Sequence, residues 1–283
     1  MSSNTFTKPE IDLLVFTDLD ATLLDHEDYQ FEEALPAIRL LQAKHIPIIP
    51  ATSKTVEELI IINQALNNHH PFIAENGCII CLPNGYFENQ PSADEYRSYQ
   101  LVKLTLGYSE VLKALLSLRE TESCNFVGFN DMNVAAIAKE TGLTIEQAKN
   151  AKKRVCSEPI IWLGSEDELI KFKALLEKIG LQAIKGGRFW HVLGKVNKAM
   201  AMQRLISLYQ SNGFKAHTIA LGDSPNDIDM LNEADTAIVI MRKDGTRLDY
   251  ESNKKVIYSS EPAPVGWNAS ILQALSEFTT KSD

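Results

Sequence analysis

The stretch LLVFTDLDATLL, residues 13–24, sets an unbroken apolar run directly against two carboxylates, Asp18 and Asp20. A run without polar alternation suits a strand buried on both faces, the situation of a parallel sheet covered by helices. The pattern recurs outward from it. A helical stretch covers about 31–44. IPIIPA (46–51) runs into Thr52-Ser53-Lys54, and another helix begins near Thr55. PFIA (71–74) runs into Glu75-Asn76-Gly77. Late in the chain HTIAL (217–221) runs into Gly222-Asp223, and AIVI (237–240) follows the next helix. This alternation predicts an α/β fold built on a doubly wound parallel sheet.

The middle of the chain reads differently. Pro83-Asn84-Gly85 predicts a hairpin turn between CIICL and YF. Helical patterns follow near 108–120, 131–140 and 144–155. Thr144-x-x-Gln147 and Ser165-x-x-Glu168 are capping-box signatures, and Gly180 suits a helix end. IIWL (160–163) predicts a strand, and Gly186-Gly187 a turn between strands near 182–185 and 188–193. The reading is an α+β insert at about 84–191 within a core made of 1–83 plus 192–283.

Composition narrows the function classes. The 283 residues carry a formal net charge of −9 and a pI of about 5.3. General nucleic-acid binding needs a basic face and is not expected. A small anionic substrate stays open, because a few local cations can dominate one cleft. MSSNTFTKPEID at the start has no signal-peptide core, and no apolar run is long enough to span a bilayer. Cys78 and Cys81 form a C-x-x-C. Cys124 and Cys156 lie too far apart in sequence to complete a zinc site, so plain strand thiols and a cytoplasmic location are the expectation.

Four polar clusters follow or flank apolar elements, where open α/β sheets bind ligands. Asp18 and Asp20 offer a nucleophile and an acid/base, although a D-x-D alone is weak, since most are solvated loop acids. Thr52-Ser53-Lys54 offers hydroxyls and backbone N–H groups that can hold a phosphate or simply cap a helix. Lys195 and Lys198 precede a helix, and either can neutralise a phosphoryl oxygen. Gly222-Asp223-Ser224-Pro225-Asn226-Asp227 adds two carboxylates that can join the first pair around a hard cation such as Mg²⁺.

In this order the clusters resemble the four motifs of the haloacid dehalogenase superfamily of phosphohydrolases. DLDAT (18–22), Thr52/Ser53, Lys198 and GDSPND (222–227) carry the resemblance, and the insert's position is similar to that of the Cof-type branch. FTDLDATLLD, ATSKT, AENG, the TGL…A..A..R…SEP pattern (141–159) and RFWHVLG resemble the mannosyl-3-phosphoglycerate phosphatases. Two features depart from the pattern. Ala21 stands where Gly is commoner, and the third-motif lysine lacks its usual following Gly. Lys198, beside the helix start, is favoured over Lys195.

The resemblance implies a Rossmann-like core with an α+β cap and a Mg²⁺-dependent phosphatase. Asp18 would form an aspartyl-phosphate, and Asp20 would serve as acid and then base. Asp18, the backbone carbonyl of Asp20 and Asp223 would bind the metal, with Asp227 a direct or outer-sphere ligand. Thr52 or Ser53 and Lys198 would hold the phosphoryl group, and Asn226 would orient Lys198 or a phosphate oxygen. The substrate would be a small phosphorylated anion, foremost a mannosyl- or glucosyl-3-phosphoglycerate; the alternative is a broad sugar-phosphate phosphatase. Its carboxylate calls for an arginine. Arg188 is the first candidate, with Arg154, Lys185 and His191 behind it. Trp190 is expected to pack the cap on the core. Glu75 and Asn76, at a strand end, are candidates for sugar hydroxyls.

Overall fold

The computed structural model describes residues 5–279, so the first four residues of the polar leader lie outside it. The decisive run forms β1 (Leu13–Thr17), buried along its whole length. It takes a parallel neighbour on each side, β2 (Ile48–Pro50) and β11 (His217–Gly222). β12 (Thr236–Met241) and β13 (Lys255–Pro262) extend the sheet, giving the parallel order β13-β12-β11-β1-β2. Alternate residues of β1 serve opposite faces. Leu13 and Val15 pack with α1 (Leu35–Ala43), α2 (Val56–Ala65) and α9 (Val265–Thr279). Leu14 and Phe16 pack with α7 (Lys198–Ser211) and α8 (Ile228–Glu233). Burial on both sides is why the run carries no polar residue. The strand order reverses at β1 and β11, so their carboxyl ends flank the crevice of the sheet.

A second, antiparallel sheet continues beyond β2 through one bridge, Ala51 to Ile73. It comprises β3 (Phe72–Ala74), β4 (Ile79–Pro83), β5 (Asp94–Tyr96) and β6 (Tyr99–Lys103), in the order β3-β4-β6-β5. The turn at Pro83-Asn84-Gly85 therefore does not join two paired strands. Tyr86 and Phe87 instead pack on Tyr209 in the core. β4 is buried throughout, so its free edge needs a partner for its backbone groups, and β6 supplies it.

The cap's own sheet is antiparallel, β7-β8-β10-β9, from β7 (Phe126–Gly128), β8 (Glu158–Trp162), β9 (Leu181–Lys185) and β10 (Trp190–Gly194). One face is covered by α3 (Tyr108–Glu122) and α6 (Glu166–Lys178). α4 (Val134–Thr141) and α5 (Ile145–Ala151) form a smaller cluster with Phe129 and Phe189. Both expected capping boxes form, and Gly180 closes α6 with φ +79°. These pairings give β5 and β6 to the core and all of β10 to the cap. We therefore draw the cap at about 104–195, and the chain crosses between the two parts at each end of that range. Trp190 packs inside the cap, with Lys173 Nζ 4.0 Å above its ring, and not against the core. Strand alternation puts Trp190 and Val192 under the cap helices and turns His191 the other way.

Candidate active site

β1 and β11 each end in a buried carboxylate, Asp18 and Asp223, and the turn after β11 adds Asp227. Oxygens of the three lie within 4.8 Å of one another. Gly222 allows this approach, since a Cβ there would come within 2.4 Å of Asp227 Cβ. Asp227 is saturated. Its Oδ2 accepts from Asp223 N at 3.2 Å, Ser224 N at 3.1 Å and Ser224 Oγ at 3.0 Å. Its Oδ1 accepts from Lys198 Nζ at 2.7 Å, and the same ammonium donates to Asp18 Oδ1 at 2.7 Å. Lys198 opens α7 behind its N-cap Asn197, which turns it inward, while Lys195 is exposed.

The charges do not balance. Burial first, then Asp227 and Asp223, raise the Asp18 pKa against the pull of Lys198. Burial and then Asp227 push Asp223 up to about 7. Burial opposes the Lys198 charge, but Asp18 and Asp227 overcome it and hold its pKa above the usual lysine value. Three buried carboxylates against one buried ammonium and the part-exposed Arg242, whose Nε lies 3.6 Å from Asp223 Oδ2, leave excess negative charge, and every donor atom is a hard oxygen. The donor set fits Mg²⁺, whose charge would relieve that repulsion.

Around this centre Thr22 Oγ1 donates to Asp223 Oδ1 at 3.0 Å. Arg242 donates from Nη2 to the Asp223 carbonyl at 2.7 Å. Neither contact was read from the sequence. Arg242 directly follows β12, so the strand-end rule used for the other clusters would have found it. Asp20 is a third exposed and paired with Lys54 Nζ at 2.8 Å. That ammonium also lies 4.8 Å from the Tyr29 ring centroid. Thr52 is buried and Ser53 half-buried at the end of β2. Asn226 Nδ2 donates to Asn76 Oδ1 at 3.2 Å. It thus braces the turn after β3 and makes no hydrogen bond to Lys198.

The cap closes over a cleft cavity of about 180 Å³, lined by Asp20, Ser53, Lys54, Arg154, Arg188 and His191 among others. Arg188 is exposed, and its Nη1 donates to the carbonyls of Thr141 at 3.0 Å and Glu140 at 3.3 Å, at the end of α4. Lys185 lies outside that cavity, in a neighbouring one of about 400 Å³ shared with His26, Arg242 and Lys243. His191 is buried and held neutral, its pKa pulled down to about 3 by burial and then by Arg154. Glu75 and Asn76 are fully buried, which removes them as contacts for sugar hydroxyls. The Glu75 carboxylate is consumed by cap backbone N–H groups at 155–157.

The model of haloacid dehalogenase-like hydrolases matches residues 15–248. The chain belongs to that family. This hydrolase is 35% identical to a glucosyl-3-phosphoglycerate/mannosyl-3-phosphoglycerate phosphatase of Methanococcoides burtonii, over 93% of the chain and 97% of the relative. It is 36% identical to a protein of the same description from Persephonella marina, over 94% and 98%. In fold it is similar to a phosphatase of the haloalkanoate superfamily from Bacteroides thetaiotaomicron, with TM-score 0.65, 19% identity, and 98% and 97% of the two chains covered. Family and relatives together make the hydrolase a phosphatase, and members of this family generally use Mg²⁺. Among the described residues no helix is long and apolar enough to cross a membrane. Cys78 and Cys81 are buried free thiols whose pKa values burial raises.

Proposed function

We propose that this phosphatase hydrolyses the phosphate ester of a glycosyl-3-phosphoglycerate, foremost the mannosyl form, through an aspartyl-phosphate on Asp18. The observation that carries the chemistry is the buried Asp18–Lys198–Asp227 contact at the carboxyl ends of β1 and β11. What supports the substrate is similarity to relatives named for it that extends through the cap, where a leaving group would be read.

Asp18 attacks phosphorus in line, and the bond from phosphorus to the leaving oxygen breaks. Lys198, with Thr52 or Ser53, holds the phosphoryl oxygens. Asp20, protonated at this stage, gives its proton to the departing alkoxide. It then takes a proton from the water that attacks the aspartyl-phosphate. Phosphate leaves and the Asp18 carboxylate is restored. Asp18, Asp223 and the backbone carbonyl of Asp20 would hold Mg²⁺, which neutralises the transferring oxygens when bound. Asp227 stands behind them, fixing Lys198 and the 223–224 backbone.

The test is kcat/KM with Mg²⁺ across mannosyl- and glucosyl-3-phosphoglycerate, simple hexose phosphates and p-nitrophenyl phosphate. Preference for the glycosyl-phosphoglycerates is expected. Preference for hexose phosphates would replace the substrate reading with that of a broad sugar-phosphate phosphatase. No Mg²⁺-dependent hydrolysis of any ester would remove the catalytic reading.

A further inference from the structure

Glu75 stands on three successive residues with left-handed backbone, at φ +51°, +57° and +96° for Glu75, Asn76 and Gly77. That conformation costs non-glycine residues about 1–2 kcal/mol each. Gly77 is required here, because a Cβ would fall 2.1 Å from the Asn197 carbonyl oxygen. The turn sends the Glu75 carboxylate out of the core into cap segment 154–157. There it accepts from Val155 N at 2.8 Å, Cys156 N at 3.1 Å, Ser157 N at 2.8 Å and Ser157 Oγ at 2.7 Å. Arg154 Nε lies 3.6 Å from the same carboxylate.

Arg154 differs from those other partners because it also borders the cleft. Its Nε donates to Ser157 O at 3.3 Å, and its Nη2 to Ser157 Oγ at 2.6 Å and to the core's Ser53 O at 3.1 Å. Its Nη1 makes no hydrogen bond to the protein among the described residues. The side chain is over nine-tenths buried. The other cations of this cavity are engaged elsewhere, Lys54 with Asp20 and Arg188, exposed, with the carbonyls of α4. His191 beside them is neutral. The cleft wall thus contains one buried guanidinium, fixed along one edge and with a nitrogen unspent.

We propose that Arg154 binds the carboxylate of the leaving group, and that Glu75 is the positioning residue that fixes its guanidinium toward the cleft. This rests on the reading of the substrate as a carboxylated phosphate ester. A guanidinium already held along one edge gives up little rotamer freedom when it meets an anion. Glu75 spreads its charge over four cap donors besides Arg154, so the arginine is oriented without its charge being fully spent.

The experiment compares KM and kcat for mannosyl-3-phosphoglycerate and p-nitrophenyl phosphate in the wild type and in Arg154→Ala, Arg154→Lys, Arg188→Ala and Glu75→Gln. Arg154→Ala should raise KM for the carboxylated substrate about 10- to 150-fold, equivalent to about 1.5–3 kcal/mol. Its effect on the aryl phosphate should be at least about tenfold smaller. Millimolar guanidinium should restore that variant on the carboxylated substrate alone. Glu75→Gln should raise the same KM several-fold with a smaller change in kcat, and guanidinium should not rescue it, because Arg154 still fills the place. If Arg154→Ala does not fold, Arg154→Lys carries the test, since it keeps the charge and loses the fork. Equal losses on both substrates, or a larger selective effect from Arg188→Ala, would overturn the proposal alone. A wild type that prefers hexose phosphates would overturn the substrate reading and this proposal together.

Discussion

The acidic centre of the core and the hairpin of the cap are built differently. In the core Asp18, Asp223, Asp227 and Lys198 are all under a tenth exposed, and each is bonded to a neighbour at a strand or helix end. In the cap the hairpin between β9 and β10 carries Lys185 and Arg188, both exposed and resting on a tryptophan ring and on helix carbonyls. On the proposed reading, the groups that would act alike on every phosphate ester are locked by mutual contacts, and those that would distinguish leaving groups stand on loops whose side chains can change without reaching the sheet. Arg154 is the exception, a buried cap residue bonded on both Nε and Nη2.

The largest effect is expected at the acidic centre of the core. Asp18→Asn should lower turnover by about 10⁴-fold or more on every ester, the scale on which a covalent nucleophile acts. Melting temperature should not fall, because one of the mutually repelling carboxylates becomes neutral. Near-normal turnover would eliminate the covalent step. Asp20→Asn should cost about 10²–10⁴-fold, the usual range for lost acid–base transfer. On the proposed mechanism both half-reactions use Asp20, so a burst of leaving group followed by slow phosphate release would assign it to only one of them.

A smaller effect compares a histidine from each region. Burial, then Arg154, pulls the cap's His191 to about 3, and burial, then His69, pulls the core's His70 to about 4. Both folded values lie below the ordinary 6.5. The folded state therefore binds fewer protons, and the stabilisation is full above pH 6.5 and lost as pH falls toward 4 and 3. At pH 4.5 each would have lost about 2–3 kcal/mol relative to pH 7. Urea melts of His191→Gln and His70→Gln at the two pH values should show a weaker acid dependence than the wild type. An unchanged slope in either would mean that its site admits the charged ring.

The smallest effect concerns Ala21, which holds φ +58° between Asp20 and Thr22. Left-handed backbone costs alanine about 1–2 kcal/mol, while glycine adds chain entropy of about 0.4–1 kcal/mol to the unfolded state. Ala21→Gly should therefore raise stability by up to about 1.6 kcal/mol. A lower melting temperature would show that the methyl group packs favourably enough to outweigh the backbone strain.

The fold of the core could be read from sequence because β1 serves two helical layers, and two-sided burial leaves an unbroken apolar run. The site was legible for the same reason, since polar residues that interrupt such runs stand where the strands end. What escaped was set by long-range pairing. Nothing local in YQLVK says that β6 will complete the edge of β4. Glu75 looked like a hydroxyl contact because it ends a strand, but its partners come from about 80 residues further along the chain. Lys198 is favoured over Lys195 by its place beside the helix start, and the Asn197 cap that starts α7 turns it inward.

The Glu75 turn has a mechanical consequence. Two chain crossings alone would leave the cap one axis about which to swing, like a door on two pins. The grip of Glu75 on 155–157 adds an attachment away from the crossings, and Arg154 on the Ser53 carbonyl and Thr55 on the Asn150 carbonyl add two more. A cap that swung away from the core at 150–157 would have to break those hydrogen bonds. Opening there would draw on the strength of contacts that lie between cap and core.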